Sequence, residues 1–323
     1  MNTLTWSRLV RGGLISVLLV LLGSPSLRAG ALQKKIGSDP AELAGRMKLN
    51  IMSMGSGSPK GTGPVPYLPA LGGPPKRVAL VSFYVWDAGN ETHSVYNTTM
   101  QWSISKTVTG TGRDRVVNAL YAVAIQPMKD AFAANGIQLL TPAEYLDTPD
   151  KKAAYDSFTL GHGALGSTIG FLTKKNRSEP AAAEGFKLLQ LPSNNNVKAK
   201  KFELAAQGGD GKLFQGLGHD LATLLQVDAV LVVYSPLQAQ SKTIDLLGAY
   251  AYLFGPNPVP QGNSTLYWTG HQYSGVYLTM DVPLLEIDRK GTETTNSFDD
   301  YGTLAGALAL RTSDYVKKRI AGK

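Results

Sequence analysis

Apolar positions along residues 213–235 follow two successive patterns, and these predict the unit around which the rest of the chain is arranged. Leu217, Leu221 and Leu225 recur at helical spacing, which indicates a short helix with one apolar face. Residues 229–234 (AVLVVY) then form a continuous apolar run that is rich in β-branched side chains. Such a run is typical of a strand that is covered on both faces. A helix followed by a fully buried strand predicts a layered α/β domain.

Apolar residues at helical spacing and at strand-like spacing also occur along the rest of the chain. Helical periodicity predicts long helices over 113–135 and over about 301–320. Strands are predicted where apolar runs or period-two alternation occur, at 77–86, 100–108, 137–140, 186–191 and 276–287. Residues 244–254 and 264–268 are further apolar segments. Together these elements predict a layered mixed sheet flanked by helices.

Two local signals mark where predicted helices end and begin. Gly136 follows the helix at 113–135 in the C′ position, where a left-handed backbone commonly terminates a helix. Thr141, Pro142 and Glu144 supply an N-cap, a proline at N1 and a glutamate at N3. This capping box predicts a short helix through Tyr145.

The first 31 of the 323 residues differ in composition from the rest. Arg8 and Arg11 precede the apolar stretch 14–22, and an A-x-A pattern follows at 29–31, which is typical of a cleaved secretory signal. A membrane anchor is the alternative, but the apolar stretch is shorter than the roughly 18–20 residues that a spanning helix needs. Residues 1–31 are therefore predicted to direct export and to be removed.

Beyond the signal, the chain is predicted to contain a leader and one folded domain. Residues 32–75 include a long stretch dominated by Gly, Ser and Pro, which is typical of a flexible linker. Residues 76–323 are predicted to form a single α/β domain. An insertion rich in glycine and polar residues interrupts it around 147–212. No later stretch is apolar and long enough to predict a transmembrane helix.

Charge and cysteine content narrow the function classes. The formal net charge is +8, and removal of three signal-segment arginines leaves +5. The only dense basic run is 198–201 (KAKK), which lacks the interleaved aromatics of a nucleic-acid site, so no nucleic-acid partner is predicted. The chain has no cysteine, which excludes disulfides and an acylated lipoprotein cysteine. The lack of cysteine and the compact signal favour the bacterial periplasm, with association with the outer membrane left open.

The histidines are the main candidates for chemistry. His93, His162, His219 and His271 lack metal-ligand spacing, although the last three each follow a glycine. Residues 161–166 match G-x-G-x-x-G, but they follow a polar segment, where a phosphate site would need a strand. The sequence therefore predicts no catalytic, cofactor-binding or metal-binding residues and no cofactor. A hydrolase that uses the Gly-His loops remains an alternative.

Four segments resemble the curli-secretion lipoprotein (CsgG) family and the TolB amino-terminal-like domains. RVALVSFYV is similar to their opening strand, and AIQPMKDAFAANGIQLLTPAEYL to their helix, strand and capped helix. LLQVDAVLVVYS is similar to their buried strand, and VYLTMDVPLLEIDRKG to a late strand. The resemblance extends over 76–323 with interruptions, and it consists of structural signals only.

The resemblance implies a non-enzymatic role, because members of these families act as envelope scaffolds, secretion-channel subunits or recognition domains. We therefore expect an exported binding or assembly scaffold whose partner is an envelope protein or a cell-wall component. An oligomer remains open. The alternative is a secretion-channel or pore subunit that contributes β-hairpins from 100–108 and 155–173. Lys106 weighs against it, since a charge facing lipid at the midplane costs roughly 2–4 kcal/mol.

Overall fold

A computed structural model describes residues 39–49, 73–87, 110–160, 180–191, 213–239, 243–256, 269–279, 284–288 and 298–320. The helices in these ranges are α1 (Pro40–Arg46), α2 (Gly110–Ala134), α3 (Pro142–Tyr145), α4 (Pro149–Ser157), α5 (π-helical Gln215–Leu221 followed by α-helical Ala222–Leu225) and α6 (Phe298–Ile320). The strands are β1 (Lys48–Leu49), β2 (Arg77–Asp87), β3 (Gln138–Leu140), β4 (Ala181–Ala182), β5 (Ala229–Ala239), β6 (Thr243–Leu246), β7 (Gly248–Pro256), β8 (Gly270–Thr279) and β9 (Leu285–Asp288).

The strands form one mixed sheet in the order β1-β8-β7-β5-β2-β3. Strands β3, β2 and β5 are parallel neighbours, whereas β5, β7, β8 and β1 are antiparallel. Strand β4 pairs with β2, and β6 pairs with both β5 and β9. Helices cover both faces of this sheet, which confirms the predicted α/β class.

Strand β5 lies in the middle of the sheet and is covered on both faces. Its first six residues, 229–234, are all at most 5% exposed. Leu231 and Val233 point into the core that α2 and α6 cover, and Val230 and Val232 point into the core that α3, α4 and α5 cover. The prediction of a doubly covered strand at this position is therefore confirmed.

Asp228 aligns the starts of the two central parallel strands. Gln226 ends α5 in a left-handed conformation with φ of 55°, and the chain then enters β5. The Asp228 Oδ2 atom accepts the backbone N–H of Lys76 at 2.7 Å and that of Arg77 at 2.9 Å. Because this carboxylate holds the start of β2, Val78 lies opposite Ala229 and the parallel register is set.

Several predicted helix boundaries are confirmed. Gly136 has a φ of 75° directly after α2, which is the left-handed conformation expected of a terminating glycine. The Glu144 carboxylate accepts the backbone N–H of Thr141 at 2.7 Å, as a capping box requires. Lys129 of α2 donates to the same carboxylate at 2.7 Å. The contact ties α3 to the opposite layer of helices.

Other segments differ from the sequence-based assignment. Residues 40–49, which the sequence assigned to the leader, form α1 and β1. Leu43 is fully buried, because the apolar face of α1 packs against α6. The single strand predicted at 276–287 instead comprises β8, which begins at Gly270, and β9. Residues 186–191 are not a strand, because side-chain hydroxyls take the place of a strand ladder there. The strand predicted at 100–108 and the apolar segment at 264–268 lie outside the described residues.

Two glycines allow the backbone of α5 to contact the ends of β7 and β8 directly. A Cβ atom on Gly270 would lie 1.7 Å from the carbonyl oxygen of Phe214, at the start of this helix. A Cβ atom on Gly218 would lie 2.4 Å from the carbonyl oxygen of Gly255 in β7. Neither position has room for a side chain, so these glycines determine how close α5 lies to the sheet.

Four tyrosines on the face beneath α5 form a row across neighbouring strands. Tyr84, Tyr234, Tyr250 and Tyr277 are consecutive cross-strand partners on β2, β5, β7 and β8. Their ring centroids are 5.1, 4.7 and 5.5 Å apart, and the rings are within 17° of parallel. Cross-strand aromatic pairs stabilise a sheet and its register by roughly 0.2–1 kcal/mol each.

We predict that Gly270→Ala lowers the free energy of unfolding by about 1–3 kcal/mol, because the new methyl group forces α5 away from the sheet. Urea denaturation measures the change. Gly45→Ala is the control, since nothing lies within 4 Å of that Cβ position in α1. An unchanged midpoint for Gly270→Ala would contradict the direct backbone contact.

We also predict that the buried tyrosines ionise only when the protein unfolds. Burial raises the pKa of Tyr84 and of Tyr234 above the ordinary value of 10.0. The unfolded chain therefore releases these protons first, and stability that is present below pH 10 is lost as the pH rises above it. Absorbance at 295 nm and far-UV circular dichroism, followed together, should show late ionisation coinciding with loss of structure.

The protein unfolded in guanidinium is the control for this titration, and there all 14 tyrosines should titrate together near their ordinary pKa. Complete titration of the tyrosines while the circular dichroism stays native would contradict the burial of Tyr84 and Tyr234.

Candidate functional site

Two of the Gly-His pairs lie next to each other in the structure. A Cβ atom on Gly218 would be 3.0 Å from the backbone nitrogen of His271, so Gly218-His219 and Gly270-His271 meet where α5 contacts β8. The glycines are explained by this backbone contact rather than by access to a histidine. His93 and His162 lie outside the described residues.

The two described histidines do not form part of a larger ligand set. His219 Nδ1 lies 2.9 Å from Oδ1 of its neighbour Asp220, and both side chains are partly exposed. The His271 ring centroid lies 6.5 Å from that of Tyr273. Across the part of the chain that the structure describes, no group of three or more His, Asp or Glu side chains could hold a metal ion. The G-x-G-x-x-G string and the basic run at 198–201 lie outside this part.

Two buried tyrosines from the helices that follow β3 lie against β2. Helix α2 connects β2 to β3 over one face, and α3, α4 and α5 lie on the other face between β3 and β5. Ligands in such sheets usually bind at the carboxyl ends of the strands where the connections change face. Tyr145 and Tyr155 are both buried, but their hydroxyls reach the carbonyl oxygens of Leu80 and Val81, in the first half of β2 and away from its carboxyl end at Asp87.

Side-chain hydroxyls satisfy the backbone at this position. The register of β2 shifts between Leu80 and Ser82, which is a β-bulge at Val81. Tyr155 Oη donates to the Val81 carbonyl oxygen at 2.6 Å and accepts the Lys187 backbone N–H at 3.0 Å. Ser82 Oγ donates to the Lys187 carbonyl oxygen at 2.8 Å. These hydrogen bonds hold the segment around Lys187 against the bulge.

An open depression lies on the opposite side of the sheet, between α2 and α6. The two helices run parallel, because Gly302 approaches Val123 and Gly306 approaches Pro127 further along both. A Cβ atom on Gly302 would lie 2.8 Å from the Val123 carbonyl oxygen. Because proline has no N–H, Pro127 cannot donate the helical hydrogen bond to the Val123 carbonyl oxygen. The close approach of Gly302 to this oxygen is therefore favourable.

We call this depression the helix groove and define it by the residues that line it. Its volume is about 630 Å³, and the lining residues are Pro40, Val123, Pro127, Asp130, Ala131, Ala134, Asp299, Gly302, Thr303, Gly306 and Leu310. The small residues of α2 and α6 leave an apolar floor. The two aspartates are exposed, and they sit towards opposite ends of the groove, because Asp299 precedes Gly302 whereas Asp130 follows Pro127.

This groove can bind apolar side chains and favour positive charge at its ends. Sequence reasoning missed it, although a signal was present. Gly302 and Gly306 form a small-xxx-small spacing on the last helix, which allows close helix packing in other settings. Pro127 within the long predicted helix at 113–135 was the second signal, since an internal proline exposes a backbone carbonyl.

Comparison with protein-family models, curated proteins and solved structures finds no match to this chain. A membrane-crossing helix needs greater length and apolar character than any helix in the described ranges has.

We predict that Tyr155→Phe lowers the free energy of unfolding by about 1–3 kcal/mol, because the buried Val81 carbonyl and the Lys187 N–H both lose their partner. Urea denaturation measures the loss. Tyr145→Phe is the matched variant: its hydroxyl donates to the Leu80 carbonyl at 3.2 Å, a longer bond, so we expect a smaller decrease. Equal or negligible effects would contradict the role of the Tyr155 hydroxyl at the bulge.

Proposed function

We propose that this chain is an exported, non-enzymatic envelope protein that acts as a binding and assembly scaffold, and that it binds its partner in the helix groove. The observation that carries the proposal is the groove itself, an open apolar depression between two packed helices. Export rests on the signal pattern of residues 1–31.

The shape of the groove favours a polypeptide segment as the bound partner. Its lining extends from Val123 to Ala134, about three turns of α2 and about 16 Å in length. An elongated apolar groove of this kind suits a chain segment with regularly spaced apolar side chains. Asp299 and Asp130 add negative charge towards the two ends. The partner therefore presents apolar side chains with basic residues beside them, supplied by an envelope protein.

Site-specific photo-crosslinking tests this function. A benzophenone side chain is placed at Thr303 or at Ala134, which both line the groove, and the purified protein is irradiated in an envelope extract of its source organism. Ala133 provides the matched control, because it is the exposed neighbour of Ala134 but does not line the groove. We expect both groove positions, and not the control, to capture the same protein.

A second step excludes adventitious capture. A synthetic peptide from the captured protein, chosen for its apolar and basic residues, should compete for crosslinking, and Gly306→Leu should abolish it by filling the groove. Circular dichroism and the melting temperature show whether Gly306→Leu remains folded; Thr303→Trp is the alternative if it does not. Equal capture at Ala133, or no competition by the peptide, would refute the groove as the binding site.

A further inference from the structure

We propose that the partner segment bound in the helix groove is an amphipathic α-helix, with two basic residues about eleven positions apart on the face that contacts the groove. This helix is the partner segment of the proposed function, on which the inference rests. Three observations support it: the nature of the groove walls, the spacing of the lining residues and the positions of the two carboxylates.

Both walls of the groove are helices, so they offer a bound segment no free strand edge. The N–H and C=O groups of α2 and α6 pair along each helix axis, and side chains form the surface. The Val123 carbonyl oxygen is the exception, and Gly302 already lies against it. An extended segment on this apolar floor would bury backbone groups that have no partner, which is unfavourable. A helix pairs its own backbone groups and can bury one apolar face there.

The lining residues recur at the spacing of a helix surface, because each wall has a row of positions four residues apart. The rows are Val123, Pro127 and Ala131 on α2 and Gly302, Gly306 and Leu310 on α6. Side chains at i and i+4 of a neighbouring helix pack into the grooves between such rows. The two glycines have no side chains, which leaves space over them for large apolar side chains of the bound helix.

The two carboxylates of the groove determine the charge spacing. Gly306 lies beside Pro127, Asp299 precedes that glycine by seven residues and Asp130 follows that proline by three. The exposed aspartates are therefore about ten residues of helix, or about 15 Å, apart along the groove. Basic residues at i and i+11 of a bound helix lie on one face about 16 Å apart, so each can reach one carboxylate. In an extended segment, only four or five residues would cover roughly the same distance.

Three labelled peptides of about 20 residues test the helical conformation with the full chain. The first contains leucines at four-residue spacing and two lysines eleven residues apart. The second has the same composition and the same leucine positions, but its lysines are four residues apart. The third is the first peptide with a central proline, which breaks a helix. Fluorescence anisotropy measures each dissociation constant.

We expect the first peptide to bind at least threefold more tightly than the second and at least tenfold more tightly than the third. An extended bound segment reverses the first of these preferences, because lysines four residues apart would then match the two aspartates. Circular dichroism of the first peptide should also show a gain of helix when it binds.

Charge variants of the protein show whether the peptide binds in the groove. Asp130→Lys with Asp299→Lys should weaken binding of the first peptide at least fivefold and should favour its analogue with glutamates in place of the lysines. Asp156→Lys with Glu184→Lys is the matched control, since both carboxylates are exposed and neither lines the groove. Melting temperatures show that each variant is folded, and Asp130→Asn with Asp299→Asn is used if the lysine variant is not.

Equal or tighter binding of the second peptide, undiminished binding of the proline peptide, or no binding of any peptide would overturn the helical partner. Equal weakening by the two pairs of charge variants would do the same. The proposed function fails separately. If photo-crosslinking captures a partner and the peptides fail, binding in the groove stands and the helix does not. If the first peptide binds as expected and no partner is captured, the preference for a helix stands and the assembly role does not.

Discussion

Burial of β5 on both faces is the constraint on which the rest of the structure depends. A strand that is apolar on both faces can be stable only when helices cover the sheet on both sides, and each fully buried aliphatic side chain contributes about 1.5–3 kcal/mol. Alternate residues of β5 reach the two separate cores, so neither layer of helices can be lost without exposing half of them. Parallel pairing with β2 and antiparallel pairing with β7 also satisfy its backbone on both edges.

The outer edge of β2 is completed in a different way. Strand β3 pairs with its first residues and β4 with Tyr84 and Val85, which leaves the bulge at Val81 between them. Hydroxyl groups of Tyr145, Tyr155 and Ser82 bond the backbone there, and an unpaired buried group would cost about 1–3 kcal/mol. The arrangement therefore stabilises an irregular edge of the sheet.

The helix groove follows from how α2 and α6 pack. Gly302 and Gly306 have no side chains, so α6 can approach α2 closely at the Val123 carbonyl oxygen and at the Pro127 ring. Pro127 leaves that carbonyl oxygen without its helical N–H donor. Small residues permit this close approach, and they also leave volume above the contact that no side chain of either helix fills. A single set of residues thus explains both the helix pairing and the surface available for binding.

The sequence by itself determined the elements whose pattern repeats locally: the doubly buried strand at 229–234, the long helices that became α2 and α6, the terminating Gly136 and the capping box at Thr141. Each of these depends on neighbours within a few residues, so periodicity and composition suffice to predict it. Only the tertiary structure decided the bulge contacts, the meeting of the two Gly-His pairs and the helix groove. These contacts join residues that are far apart in sequence, such as Val123 and Gly302. A local sequence pattern cannot predict which distant backbone a glycine will contact. Residues 40–49 show the same limit, because their weak local pattern becomes ordered structure only through packing on α6 and β8.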